Sequence, residues 1–145
     1  MMEITLINRY WKRLDATWTI TGGDRIMGKK RLVVIGGDAA GMSAASQVRR
    51  RKPDLEILVF ERSPYTSYAA WGIPYYVGKV VDDVRKLIAR SPETFRKKQN
   101  IDARILHEVV EIRTDQMRVK VRDLENGKER WEPFDQLMIA TGAVP

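Results

Sequence analysis

The most constraining feature of the sequence is a short apolar run that ends in a cluster of glycines. Residues 32–35 are Leu-Val-Val-Ile, and an apolar run without alternation is typical of a strand that is buried on both faces. Gly36, Gly37 and Gly41 follow at once, and residues 42–51 are rich in alanine with apolar side chains at helical spacing. The segment therefore predicts a parallel β-strand, a tight turn and an α-helix in immediate succession.

A second apolar run completes this unit. Pro53 and Asp54 interrupt the chain after the helix, and residues 57–60 (Ile-Leu-Val-Phe) form another buried run that ends at Glu61. A strand, a glycine turn, a helix and a strand within about 30 residues make a βαβ unit. We therefore expect an α/β fold with a Rossmann-like parallel sheet.

The C-terminal third of the chain changes its periodicity. Residues 117–122 alternate between apolar and basic side chains, which predicts a strand with one solvated face. Residues 125–128 (Glu-Asn-Gly-Lys) predict the tight turn of a hairpin, and residues 136–140 predict a last apolar strand. We expect this β-meander or hairpin to be an insertion in the parallel sheet. Before it, the pattern indicates a helix at 82–90 and another that is capped by Ser91.

The composition excludes several kinds of chemistry. The 145 residues contain no cysteine, and His107 is the single histidine. Disulfides, thiolate nucleophiles and Fe–S clusters are therefore excluded, and we expect no metal site. No stretch reaches the roughly 18 consecutive apolar residues of a membrane span, and residues 1–20 lack the apolar core of a secretory signal. We expect a cytoplasmic protein with no membrane partner.

The first 28 residues differ from the rest of the chain. They follow neither the strand period nor the helix period, and a turn signal at 21–24 (Thr-Gly-Gly-Asp) separates them from the first strand. We interpret residues 1–28 as an N-terminal extension of the domain formed by residues 29–145. Met27 is then a candidate initiator, and we hypothesise that the extension is not native to the protein.

The formal net charge of +7 raises the question of nucleic-acid binding. The basic excess is spread over the middle of the chain, and its densest run is residues 49–52 (Arg-Arg-Arg-Lys). Cations near a helix C-terminus interact favourably with the helix dipole, so this run is consistent with a solvated helix end or with anion binding. Nucleic-acid motifs are absent, and aromatic residues are not interleaved with the basic run. We expect no nucleic-acid partner.

The glycine turn has the arrangement of a dinucleotide-binding fingerprint. Gly36 permits the tight turn, Gly41 lets the helix approach the strand, and the helix N-terminus offers backbone N–H groups to a pyrophosphate. Glu61, which lies 20 residues after Gly41, can accept hydrogen bonds from a ribose diol and would repel a 2′-phosphate. Asp38 replaces the middle glycine, and its carboxylate either faces the phosphates or turns away to cap the helix. An ordinary βα turn that contains glycines is the alternative interpretation.

Residues 33–45 (Val-Val-Ile-Gly-Gly-Asp-Ala-Ala-Gly-Met-Ser-Ala-Ala) resemble the start of the FAD-dependent pyridine nucleotide-disulfide oxidoreductases. The branch that they resemble most is that of the coenzyme A-disulfide reductases and NADH oxidases. Three further stretches agree in order, at 67–76 (Ser-Tyr-Ala-Ala-Trp-Gly-Ile-Pro-Tyr-Tyr), 91–93 (Ser-Pro-Glu) and 140–145 (Ala-Thr-Gly-Ala-Val-Pro). The resemblance covers roughly residues 31–145 and implies the N-terminal part of a FAD/NAD(P)-binding domain of the Rossmann type.

The resemblance also implies which residues bind ligands. FAD would be bound at its pyrophosphate by the glycine turn, at its adenosine ribose by Glu61, at its adenine by Val109 and at its flavin by the segment after the last strand. The residues implied to bind FAD are Gly36, Gly37, Asp38, Ala39, Ala40, Gly41, Glu61, Arg62, Val109, Thr141 and Gly142. A coenzyme A moiety would contact Ser43, Gln47, Arg50 and Ser67.

Two departures from the family bear on activity. Trp71 occupies the position of the family's redox cysteine, whose thiolate exchanges with disulfides, so we assign no catalytic residue. The family's NAD(P)H-binding domain, second FAD-binding segment and dimerisation domain have no counterpart within the 145 residues. NAD(P)H, the family's co-substrate, therefore has no predicted site in this chain.

Taken together, the resemblance predicts a truncated FAD-binding oxidoreductase domain that lacks its redox cysteine and is inactive alone. The alternative is a catalytically inactive module that binds FAD, ADP or NAD, or a gene remnant. The unfinished edge of the predicted sheet leads us to expect self-association.

Overall fold

A computed structural model describes residues 29–143 of the chain. The N-terminal extension predicted at residues 1–28 and its candidate initiator Met27 lie outside the described residues. The elements follow in the order β1 (Arg31–Ile35), α1 (Ala39–Arg51), β2 (Glu56–Phe60), a 3₁₀ turn (Ala70–Gly72), α2 (Ile73–Val77), a second 3₁₀ turn (Val84–Leu87), α3 (Pro92–Gln99), β3 (Asp102–Arg104), β4 (His107–Arg113), β5 (Arg118–Asp123), β6 (Glu129–Pro133) and β7 (Gln136–Ile139).

The central layer is a parallel sheet of four strands in the order β3-β2-β1-β7. Val33 and Val34 of β1 are fully buried, as are Ile57 and Val59 of β2. Strands that are covered on both faces need apolar side chains at consecutive positions, which explains the runs without alternation in the sequence. The α/β class and the Rossmann-like parallel sheet are therefore confirmed.

The second sheet is an antiparallel meander of three strands in the order β4-β5-β6. Val119 and Val121 of β5 alternate with basic side chains, and their apolar side chains share a core with Val33 and Phe60 of the parallel sheet. Gly127 lies in the β5–β6 turn with a φ of 72°, as expected for a tight hairpin. The predicted meander insertion is confirmed.

The other face of the parallel sheet is covered by helices. Met42 and Ala45 of α1 and Phe95 of α3 pack with Val34 and Ile57 in one core cluster. The molecule thus has three layers, with helices on one face of the parallel sheet and the meander on the other. This arrangement leaves the ends of β1, β2 and β7 as the meeting point of the strands and the first helix.

Two of the predicted helices differ in outcome. The helix capped by Ser91 is confirmed, because the Ser91 hydroxyl accepts a hydrogen bond from the N–H of Thr94 at 3.3 Å. The helix predicted at 82–90 is wrong, because only a 3₁₀ turn forms at Val84–Leu87. After that turn the backbone becomes extended, since Ile88 forms a β-bridge with Tyr68 and cannot continue a helix.

Arg31 connects the two sheets at the N-terminal end of β1, which is the end away from the glycine turn. Its Nε donates to Glu56 Oε2 at 2.8 Å, and its Nη1 lies 3.4 Å from Glu132 Oε2 of the meander. Its backbone N–H donates to Asp135 Oδ2 at 2.6 Å. The hydrogen bond with Glu56 raises the pKa of Arg31, so the guanidinium stays charged. The ion pairs thereby join β1, β2 and the meander.

The outer face of the meander carries part of the basic excess. The ring of Trp131 lies beneath three cations, with the Arg118 guanidinium carbon 4.3 Å from the ring centroid and Arg113 and Lys120 slightly farther away. Lys120 also lies 3.2 Å from Glu111 Oε2. These basic groups therefore contact Trp131 and Glu111 within the domain. The absence of a nucleic-acid partner stays a prediction.

The three-layer core predicts how one substitution affects stability. Ile57 is 1% exposed between the layers, so Ile57→Ala should lower the free energy of unfolding by about 2–5 kcal/mol through lost burial and a residual cavity. Ile112→Ala on the meander, where the side chain is 37% exposed, is the control and should cost roughly 1 kcal/mol or less. Urea denaturation measures both values, and equal losses would contradict the layered core.

Candidate functional site

Gly36 lies where the end of β1 meets the end of β7. Its φ is 105°, which favours glycine, and a Cβ at this position would overlap the carbonyl oxygen of Ala140. The N–H of Gly36 donates to the carbonyl of Phe60 at 2.8 Å, and the same hypothetical Cβ would lie 3.2 Å from the backbone nitrogen of Thr141. The first glycine is therefore required because three strand ends converge on it.

Gly41 brings α1 against the strand that precedes it. A Cβ on Gly41 would overlap the carbonyl oxygen of Gly36 and would lie 3.2 Å from Cγ1 of Val34. The helix axis is thus close to β1, and the turn between them is compact. The structure supports the roles in turn formation and close packing that the sequence predicted for the two glycines.

The Glu61 carboxylate faces the turn and is half-buried. Its Oε2 accepts a hydrogen bond from the N–H of Gly37 at 2.6 Å, and its Oε1 accepts one from the N–H of Ser63 at 2.8 Å. A Cβ on Gly37 would lie 2.8 Å from the Cβ of Glu61, so the second glycine leaves room for this carboxylate. The predicted acidic residue is thus brought to the glycine turn.

Asp38 precedes α1 and is exposed. Its side chain makes no capping hydrogen bond, so the helix-capping alternative raised by the sequence is wrong for this structure. The helix begins at Ala39, and its first N–H groups have no partner inside the helix because α-helical bonding starts four residues later. The N–H groups of residues 38–41 therefore lie at the N-terminal, positive end of the helix dipole without partners inside the helix.

The remaining residues predicted at the cofactor site fall into two groups. Thr141 and Gly142 are exposed and follow Ala140 after the end of β7, and Arg62 is exposed and follows Glu61 in sequence. Val109 lies on β4, where it is partly buried and packs against the core between the two sheets. The first group therefore belongs to the segments after β7 and β2 whose residues Thr141 and Glu61 lie against the glycine turn, while Val109 contributes to the meander that covers the sheet.

A cavity of about 340 Å³ lies on the helix side of the turn. The four residues predicted to contact coenzyme A line it together, and Arg90 supplies a second cation that the sequence analysis did not identify. The lining consists of Ala39, Met42, Ser43, Ser46, Gln47, Arg50, Ser67, Ala89, Arg90 and Phe95. Because Ala39 belongs to both features, the cavity borders the glycine turn.

Ser67 connects the cavity to the turn through its backbone. Its N–H donates to the carbonyl of Gly37 at 3.1 Å, and its carbonyl accepts from the N–H of Ala89 at 3.0 Å. Ser67 adopts a φ of 53°, a left-handed conformation that is uncommon outside glycine. No local sequence signal predicts this connection, because Gly37, Ser67 and Ala89 are far apart in the chain.

Trp71 lies in the first 3₁₀ turn and is 78% exposed. The neighbouring Gly72 is buried, with a hypothetical Cβ only 2.5 Å from Cδ2 of Leu87, so the turn packs closely while the indole faces outward. Six large apolar side chains between residues 71 and 80 are exposed, and we refer to them as the apolar patch: Trp71, Ile73, Tyr75, Tyr76, Val77 and Val80.

The described part of the chain contains neither a cluster of metal-ligating side chains nor a helix that could cross a membrane. Among residues 29–143, no group of three or more His, Cys, Asp or Glu side chains is arranged to hold a metal ion. Within the same residues, no helix has the length and hydropathy needed to cross a membrane.

Comparison with known proteins identifies relatives of this chain. The family model for pyridine nucleotide-disulphide oxidoreductase matches residues 30–145. An NAD(P)H coenzyme A polysulfide/persulfide reductase of Pyrococcus horikoshii is 47% identical over 118 residues, which cover 81% of this chain and 25% of the relative. A coenzyme A disulfide reductase of Staphylococcus epidermidis is 34% identical over 113 residues, covering 78% and 26%.

Solved structures give the same result. Reduced CoADR-RHD of Bacillus anthracis superimposes with a TM-score of 0.78 at 36% identity, covering 84% of this chain and 22% of that one. A water-forming NADH oxidase of Lactobacillus brevis has a TM-score of 0.76 at 33% identity, covering 81% and 26%. The chain thus spans about a quarter of the length of the curated relatives that it matches. Because the family model matches far more than half of the sequence, the chain belongs to the pyridine nucleotide-disulphide oxidoreductases.

Proposed function

We propose that this chain binds FAD as the N-terminal nucleotide-binding part of a flavoprotein related to the coenzyme A-disulfide reductases. The observation that carries the proposal is the compact turn at 36–41 with the Glu61 carboxylate beside it. Backbone N–H groups at residues 38–41 would bind the pyrophosphate, and Glu61 would accept hydrogen bonds from the adenosine ribose. The fit rests on a glycine cradle that side chains would fill and on a carboxylate next to it.

Other residues would bind the remaining parts of FAD. Thr141 and Gly142 would lie along the flavin side, and Arg62 and Val109 would border the adenosine. When bound, FAD supplies a ring system that accepts and donates electrons, and NAD(P)H is the co-substrate of the family. The protein supplies orientation and electrostatics. A negative charge at Glu61 would also disfavour a ligand with a 2′-phosphate on its ribose.

The cavity beside the turn would take a coenzyme A moiety. Its volume of about 340 Å³ is at the lower end of the range of small-molecule sites. Arg50 and Arg90 would bind phosphate groups, while Ser43, Gln47 and Ser67 would donate or accept hydrogen bonds. This part of the proposal concerns a substrate class, because the names of the relatives mention coenzyme A.

Trp71 determines which chemistry the chain would lack. Disulfide exchange requires a thiolate nucleophile, and an indole has neither a thiolate nor a reversible two-electron couple of that kind. Reduction of a disulfide therefore does not proceed through residue 71. A second candidate function follows, a binding module that holds FAD, ADP or NAD without turnover.

Gel filtration after incubation with FAD tests the proposal directly. We expect flavin absorbance to co-elute with the chain, because the cradle at 36–41 is already formed in the structure. Subsequent addition of NADH separates the two candidates, since bleaching of the flavin would indicate an oxidoreductase and unchanged absorbance a binding module. Elution without flavin, together with elution without ADP after a parallel incubation with ADP, would contradict nucleotide binding.

The charge of Asp38 should lower the affinity of this site for a phosphate-containing ligand. Its carboxylate is exposed next to the N–H groups proposed to bind phosphate and makes no capping bond, so it repels the ligand. Asp38→Asn should therefore tighten ADP binding by about twofold to tenfold at low ionic strength, and the gain should shrink with added salt. Calorimetric titration measures it. Asp82→Asn, at an exposed loop position, is the control and should leave affinity unchanged.

The charge of Arg50 should contribute to the affinity of the cavity for coenzyme A. Removing its charge with Arg50→Gln should weaken coenzyme A binding by about fivefold to thirtyfold, because a charge-assisted hydrogen bond to phosphate is lost. Lys128→Gln in the β5–β6 turn removes the same charge far from the cavity and serves as the control. Equal affinities for the two variants in calorimetry would contradict a coenzyme A site in this cavity.

Self-association through the apolar patch is a further part of the proposal, with a second copy of this chain as the occupant. The proposal rests on six large apolar side chains within ten residues of sequence, each 41% or more exposed, whose burial against a second copy would remove apolar area from water. We expect the wild-type chain to form dimers.

A pair of substitutions tests this interface by sedimentation velocity. Val77→Lys combined with Val80→Lys should give monomers, because charges would be buried in the apolar contact. Val110→Lys on β4 is the control and should leave the dimer intact. A monomeric wild-type chain, or a dimer that persists in the double variant, would contradict an interface at the patch.

A further inference from the structure

We propose that Glu61 is a positioning residue for the phosphate-binding turn as well as a ligand of the ribose. This inference deepens the proposed nucleotide binding and rests on it. The starting observation is that both carboxylate oxygens already accept backbone hydrogen bonds, Oε2 from Gly37 at 2.6 Å and Oε1 from Ser63 at 2.8 Å. These two bonds form without a ribose and connect the carboxylate to the backbone of the turn and of residue 63.

The peptide groups of Gly37 are held from two sides. Its N–H donates to Glu61, while its carbonyl accepts from the N–H of Ser67 at 3.1 Å. The preceding N–H, that of Gly36, donates to the carbonyl of Phe60 at 2.8 Å. The first two glycines therefore use their N–H groups to fix the turn. The pyrophosphate is left to the N–H groups of residues 38–41, which the turn then presents in one orientation.

The acceptor capacity of Glu61 allows both roles at once. An ionised carboxylate offers about four lone-pair sites, of which the N–H groups of Gly37 and Ser63 use two. Two sites remain, which is the number needed by the two hydroxyl donors of a vicinal diol. Ribose binding therefore does not require Glu61 to release the turn, and the same carboxylate links the ribose to the phosphate site.

The close packing at Gly37 supports the same role. A Cβ on Gly37 would lie 2.8 Å from Cβ and 3.2 Å from Cγ of Glu61, so the side chain lies directly against the turn. Because Glu61 follows β2 and Gly37 follows β1, the contact connects the ends of two neighbouring strands. Because Glu61 is anchored at the end of β2, its contact with Gly37 restrains the position of the turn relative to the sheet.

The test separates positioning from ribose binding by using a nucleotide without the diol. Glu61→Ala and Asp38→Ala each remove one negative charge near the turn, but Glu61→Ala also removes the acceptor of Gly37. With 2′,3′-dideoxy-ADP, Glu61→Ala should weaken binding by about threefold or more, since a net hydrogen bond that orders the turn is lost. Asp38→Ala should tighten binding. With ADP, the loss in Glu61→Ala should be larger still.

Calorimetric titration gives both affinities. If Glu61→Ala bound the dideoxy nucleotide as tightly as the charge-matched Asp38→Ala, the carboxylate would act on the ribose alone and the inference would be overturned. A loss of ADP affinity in Glu61→Ala, with an affinity for the dideoxy nucleotide equal to that of Asp38→Ala, would overturn it as well.

Amide hydrogen exchange in the ligand-free chain makes the test independent of nucleotide binding. We expect the amides of Gly37 and Ser63 to exchange about tenfold faster in Glu61→Ala than in the wild type, and to be unchanged in Asp38→Ala. Unchanged exchange in Glu61→Ala would overturn the positioning role. If the wild-type chain bound neither nucleotide, the proposed function would fail while the exchange rates would still decide the inference.

Glu61→Gln serves as the second variant in case Glu61→Ala does not fold. The glutamine amide preserves the shape of the side chain and one acceptor oxygen, but its NH₂ group then faces one of the two N–H donors. Exchange should become faster at one of the two amides and stay slow at the other. Protection of both amides at the wild-type level would overturn the inference.

Discussion

The absence of space around Gly36 is the constraint on which the rest of the structure depends. The end of β1, the start of α1 and the end of β7 approach so closely there that no side chain fits at Gly36 or Gly41. Because the strands also carry apolar side chains on both faces, they can converge only inside a three-layer arrangement. The compact turn and the buried sheet are therefore consequences of the same packing.

The electrostatic features are arranged around this packing. At one end of the strands, Arg31 joins β1 and β2 to the meander through carboxylates. At the other end, Glu61 accepts hydrogen bonds from backbone N–H groups, while the first N–H groups of α1 stay without helical partners. Charge is thus compensated at the end that holds the sheets together, while backbone N–H groups without helical partners remain at the end where the turn lies.

Features determined by residues close in sequence could be predicted. The buried runs, the glycine turn, the Ser91 cap and the hairpin at Gly127 all depend on neighbours along the chain, and the structure contains each of them. The helix predicted at 82–90 was wrong because a distant strand-like contact with Tyr68 outweighs local propensity. The hydrogen bonds of Ser67 and the second cation in the cavity, Arg90, depend on the tertiary fold, so the pattern of residues contains no signal for them.

The placement of β7 has a consequence for the order in which the molecule can be assembled during synthesis. The backbone N–H of Arg31 donates to the side chain of Asp135, which lies 104 residues later and just before β7. The backbone of Ala140, just after β7, packs against Gly36. Contacts of such long sequence separation form slowly, because a large loop must close first. A nascent chain therefore lacks the contact between Gly36 and Ala140 until β7 has been synthesised, whereas the hydrogen bonds of the turn to Phe60 and Glu61 can form earlier.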